Sequence, residues 1–132
     1  VAEKPILHSL KQNLNSTLVH AFGLIESDNA SRQLAQAESW LAAHEADAEL
    51  FLCLGRLAAR NKLWGKARDY FESSYKLEKT TEVCAELGRL LISLGEPKVS
   101  AAYFQRGLLL HESRLPELPM PEQVTPHTRR LG

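Results

Sequence analysis

Five histidines, two cysteines and three of the nine arginines are the side chains of this sequence best equipped for chemistry. His8, His20, His44, His111 and His127 are candidate ligands for a metal or a haem iron. Two ligands on one helix face need i, i+3 or i, i+4 spacing, and no pair of these has it. No cysteine stands at ligand spacing from any of them, and no cysteine precedes a proline. Solvated or helix-end histidines are therefore the expectation, with His20, His44 and His111 the least poor candidates for direct haem ligation. No cofactor is expected on this reading. Cys53 and Cys84 form no CxxC motif and no dense framework, which suits a reducing compartment slightly better than an oxidising one. Neither an activated nucleophile nor a glycine-rich phosphate cradle is visible, so catalysis is not expected. Arg56, Arg60 and Arg89 remain. A guanidinium offers a planar fork that binds carboxylates two hydrogen bonds at a time.

The elements that must carry these groups are bounded by the bulk numbers. The chain has 132 residues, 44% of them apolar, which is enough for one folded core. Sixteen basic side chains cancel sixteen acidic ones, and no basic patch suggests a nucleic-acid partner. No apolar run approaches the ~18 residues of a membrane span. The chain opens at Val1 without a signal-peptide pattern and reads as a fragment of a longer parent.

Sliding the sequence along itself by 33 residues places Leu54-Gly55-Arg56-Leu57 on Leu87-Gly88-Arg89-Leu90 and Tyr70-Phe71 on Tyr103-Phe104. Ala67 falls on Ser100, and Leu77 on Leu110. An offset of this size marks arrays of helix pairs, and the tetratricopeptide period is one residue longer. In each unit a first helix carries Leu-Gly, where glycine admits a close neighbour. The second helix carries a small residue and, one turn later, a phenylalanine. The expected fold is all-α, a tetratricopeptide-like α-solenoid of antiparallel helix pairs with a right-handed superhelix.

Caps and breakers place helices near 48–61, 64–78, 81–94 and 97–111, with Asp47 and Thr80 as N-caps. Gly95 closes one helix and Pro97 opens the next. Upstream, 33–44 reads as the second helix of a degenerate unit, with Ala37 and Trp40 exchanging the usual large-then-small order. Leu7, Leu10, Leu14, Leu18, Phe22 and Ile25 form a stripe before it. Asn13, Asn15 and Ser16 favour a break within that stripe, and Ser27-Asp28-Asn29 marks a turn. The division is a degenerate unit over 1–46, repeats over 47–80 and 81–114, and a tail over 115–132. Pro116, Pro119, Pro121 and Pro126 keep that tail extended and poorly ordered.

First helices line the concave face in this class. Counting Gly55 as the eighth position, the second, fifth, ninth, twelfth and thirteenth point into the groove. These are Glu49, Leu52, Arg56, Ala59 and Arg60 in one unit, and Glu82, Ala85, Arg89, Ile92 and Ser93 in the next. Arginines beside Leu52, Ala85 and Ile92 suit a protein or peptide with acidic or carboxylate groups. Equally open is that the arginines pair with Glu49, Glu82 or Glu86 and only solubilise the face. Cys53 and Cys84 should be buried thiols, and packing should account for Trp64 and Trp40.

One stretch is more specific. Gln36-Ala37-Glu38-Ser39-Trp40-Leu41 with His44, then Leu54-Gly55-Arg56-Leu57, then Leu63-Trp64-Gly65-Lys66-Ala67-Arg68 with Tyr70 resembles the HemY-type proteins. The resemblance covers roughly 14–110, and Leu-Trp-Gly-Lys-Ala is its most specific block. Glu45 stands where a proline is expected after His44, and Phe71 where leucine is common. The resemblance implies the repeat region of a bacterial inner-membrane protein associated with haem biosynthesis. Its membrane segments would lie outside this fragment, and the soluble domain would face the cytoplasm. It also implies haem-biosynthesis enzymes as partners and carries no catalytic motif. Two rivals are a direct haem or porphyrin carrier and an envelope-assembly scaffold unrelated to haem.

Overall fold

The computed structural model describes residues 16–25, 28–44, 46–112 and 114–122. Among them lie six α-helices and no strand: α1 (Ser16–Leu24), α2 (Ala30–Glu38), α3 (Ala48–Arg60), α4 (Trp64–Leu77), α5 (Thr81–Ser93) and α6 (Pro97–His111). The described chain is all-helical, and none of these helices is long and apolar enough to cross a membrane.

From α3 onward the helix ends fall within one residue of the expected ones. Asp47 accepts hydrogen bonds from the Glu49 and Leu50 amides at 3.0 and 3.2 Å, and Thr80 accepts one from Val83 at 3.2 Å. Each satisfies donors that the first turn of a helix leaves unpaired. Gly95 takes φ +81° after α5, and Pro97 occupies the first turn of α6. Lys62, one repeat before Gly95, holds φ 60° in the turn between α3 and α4.

Upstream the helix bounds differ from the expected ones. α2 starts at Ala30, not Gln33, because the Asn29 side chain accepts from the Arg32 amide at 2.9 Å and caps it. It ends at Glu38, short of His44. Ser39 Oγ donates to the Gln36 carbonyl at 2.6 Å, competing with the helical ladder. Amides of Trp40, Leu41 and His44 then donate three residues back in tight turns. This turns the Trp40 ring edge-on to Phe22, at 5.3 Å between centroids. Leu7, Leu10, Leu14, Asn13, Asn15, Ser27, Glu45 and Pro126 lie outside the described residues, as do His8 and His127.

α3 and α4 run antiparallel, since Ala48 meets Ser74 and Gly55 meets Phe71. α5 and α6 repeat the arrangement, with Gly88 against Phe104 and Cys84 against Gly107. A Cβ at Gly55 would stand 2.4 Å from the Phe71 ring, and one at Gly88 would stand 2.6 Å from Phe104. The close approach expected of both glycines is real. α5 also packs on α4, while α1 and α2 both pack on α3. Leu50, Leu54, Leu57, Ala67, Phe71, Val83, Leu87 and Leu91 fill the core between them. Cys53 and Cys84 are buried free thiols. Burial pushes both upward, Cys53 to about 12.

Candidate functional site

α1 and α3 lie close together, whereas α3 and α5 hardly approach each other at the backbone. The reason is legible at one repeat position. Gly23 on α1 comes so near α3 that a Cβ there would stand 3.0 Å from Cys53 Cα. Thirty-three residues later the position is Arg56, and thirty-three later again it is Arg89. Arg56 Nε donates to Glu86 Oε2 at 2.6 Å, and its Nη2 reaches Glu82 Oε2 at 3.3 Å. Arg89 Nη2 donates to the other oxygen of Glu86. A salt-bridged wall thus spans α3 and α5 where glycine lets α1 and α3 close. Beside it opens a groove of about 650 Å³, to which α4 and the end of α1 also contribute.

Five expected groove residues line it: Arg56, Ala59, Arg60, Arg89 and Ser93. Leu52 does not. It is buried in the core, since α1 packs along α3 and leaves no open face there. Ala85 faces a smaller hollow between α5 and α6, with Phe104 and Leu108. Ile92 is exposed but does not line the groove. Glu82 does not line the groove either; besides meeting Arg56 it holds His20 at 2.9 Å. Glu49 lines a separate, mostly polar hollow of similar volume at the start of α3, with His44, Asp47 and Glu78. Its Oε2 is buried and has no hydrogen-bond partner among the described residues.

The three arginines are not a ladder of free donors. Arg56 is committed to Glu86 and Glu82 with only 12% of its side chain exposed, which is the pairing alternative. Arg60 Nη1 donates to the Ile25 carbonyl at 2.8 Å, tying the end of α1 to α3. Arg89 differs: its side chain is 72% exposed and makes a single hydrogen bond among the described residues. Most of its donors face water. Burial raises the Glu86 carboxyl, but hydrogen bonds from Arg89 and Arg56 outweigh it and hold the group below the usual carboxylate range. Burial pushes Glu49 the other way, above that range.

Sequence reasoning missed the apolar lining: Leu24, Trp64, Phe71, Leu90 and Leu94. Trp64 is the first residue of α4 and is 45% exposed, so packing does not account for it. A signal existed. One repeat later the same position is Pro97, which opens a helix and needs no core side chain. Half-bare aromatic surface in a groove, with an exposed guanidinium at the lip, can take an apolar side chain and a nearby carboxylate. Among the described residues no three His, Cys, Asp or Glu side chains gather as a metal site. His20 is engaged with Glu82, and His111 is exposed at the end of α6. No protein-family model matches the chain, and no curated protein matches it either.

Proposed function

We propose that this chain is a protein-interaction module, a tetratricopeptide-like α-solenoid whose groove between α3 and α5 takes a segment of another protein. The observation that carries this is the pairing of half-exposed Trp64 with the outward guanidinium of Arg89 around one groove. Neither exposure helps folding: a bare indole forgoes apolar burial, and an exposed arginine contributes little stability. Both suit a ligand that inserts an apolar side chain and presents a carboxylate to Arg89. The work proposed is binding, not catalysis. The HemY-type resemblance supports a fuller proposal, in which this is the soluble repeat region of a membrane-anchored scaffold that gathers haem-biosynthesis enzymes.

The test is selection from a displayed peptide library on the full chain, beside Trp64→Ala and Arg89→Glu variants checked by circular dichroism. Peptides combining bulky apolar residues with Asp, Glu or a free C-terminus should be enriched. Loss of Trp64 should weaken them by about 2 kcal/mol, as expected for a buried aromatic anchor. Absence of enrichment, or enrichment indifferent to both substitutions, would remove the groove reading.

A further inference from the structure

The described chain after α6, Arg114–Glu122, has no regular secondary structure, and every residue in it is exposed. Its sequence from Leu115 is Leu-Pro-Glu-Leu-Pro-Met-Pro-Glu. Leu115, Leu118 and Met120 are 62%, 63% and 75% exposed, and each immediately precedes a proline. A residue before proline is driven to extended backbone, and proline fixes its own φ. The segment is thereby biased toward a polyproline II helix, which pays little entropy on docking. With three residues per turn, Leu115 and Leu118 share one edge about 9 Å apart, and Glu117 lies on the next. Segments of this kind dock in aromatic-lined grooves. Trp64, half exposed, is the aromatic surface of such a groove here. The charges also match: residues 115–122 carry Glu117 and Glu122 with no base, while the groove has Arg56, Arg60 and Arg89 against Glu86.

We propose that Leu115–Glu122 of one copy occupies the Trp64 groove of a second copy. The Leu115–Leu118 edge lies on Trp64, Leu90 and Leu94, and Glu117 meets the free side of Arg89. This rests on the groove being a docking surface and names the occupant it takes. Self-recognition of this kind would let the tail compete with other ligands, so the groove is self-regulated.

The experiment is sedimentation velocity on the full chain from micromolar to millimolar concentration. Wild type should associate as concentration rises. Arg89→Glu, Glu117→Arg and Leu118→Ser, all at exposed positions, should each weaken association tenfold or more without changing helicity. An equimolar mixture of the Arg89→Glu and Glu117→Arg chains should recover it, because the reversed tail then meets the reversed groove. A chain carrying Trp40→Phe keeps Trp64 as its single tryptophan, and its emission should shift to the blue on association. A wild type that stays monomeric, or association lost through Leu108→Ser on the outer face of α6 but not through Arg89→Glu, overturns the proposal. If the chain stays monomeric while selected peptides still bind at Trp64, the tail assignment fails and the groove reading stands. If neither binds, both fail.

Discussion

At the scale of single residues, two glycines in the same repeat position have unequal work to do. Gly55 faces a Phe71 ring that is 3% exposed, whereas Gly88 faces a Phe104 ring that is 44% exposed. An added methyl at Gly55 crowds an enclosed ring that yields little, and overpacking of this kind costs about 1–3 kcal/mol. At Gly88 the ring can swing toward water, and the gain of about 1 kcal/mol from replacing helical glycine offsets the crowding. Gly55→Ala should therefore lower the denaturation midpoint clearly, and Gly88→Ala should leave it nearly unchanged. Phe71→Ala should cost about 3–5 kcal/mol, and Phe104→Ala a small fraction of that. Equal losses in the two units would contradict the difference in burial. The thiols offer an independent check. With Cys53 pushed to about 12 and both sulfurs enclosed, Ellman's reagent should react only after denaturant is added. Fast labelling in native buffer would place them at the surface.

At the scale of elements, the turns between paired helices repeat a left-handed residue, Lys62 in one unit and Gly95 in the next. Left-handed backbone costs a residue with a Cβ about 1–2 kcal/mol. Gly95→Ala should thus destabilise by about 1 kcal/mol although, among the described residues beyond its chain neighbours, an added Cβ would meet nothing within 4 Å. A thermal shift of a few degrees would show it, and an unchanged melt would mean that the turn adjusts. This level of structure was legible in advance. Asp47, Thr80, Gly95 and Pro97 act within four residues of themselves, so their meaning survives in a linear string. The groove was less legible. Arg56, Ala59 and Arg60 follow from helical phase and repeat position, and Glu86 is one of the three carboxylates the sequence offers as partners, but only packing selects it for Arg56 from thirty residues away. Leu52 was misplaced because its burial depends on how tightly α1 sits on α3. Trp64 was misread because an aromatic at a helix start looks the same whether it fills a core or borders a groove.

At the scale of the whole molecule, Arg56 reaches from α3 to Glu86 and Glu82 and joins two helix pairs whose helices α3 and α5 stay apart. Glu86 has its folded carboxyl below the unfolded value of 4.5, so its contribution is full above that pH and fades as pH falls through the folded value. Glu49 has the opposite sign. Its folded carboxyl lies above 4.5, so ionising it costs stability as pH rises through the folded value. Glu49→Gln should therefore stabilise the protein at pH 7, with the gain gone well below pH 4.5. Glu86→Gln should destabilise at pH 7 by about 2 kcal/mol, because Arg56 keeps its charge in a site only 12% exposed. Replacing both partners acts differently, since exchanging an enclosed ion pair for apolar side chains of similar size is often neutral or stabilising. Arg56→Leu with Glu86→Leu should restore stability to near wild type at pH 7 and flatten its acid dependence. The same change fills the space between α3 and α5 with aliphatic carbon and frees Arg89 from Glu86. Peptides selected on the wild-type groove should then bind at least tenfold more weakly despite an intact fold. Denaturation at pH 7 and pH 3.5, run beside peptide titration, reads both quantities. A double variant that is as unstable as Glu86→Gln alone, or that keeps full affinity, would show that the wall does not set the groove.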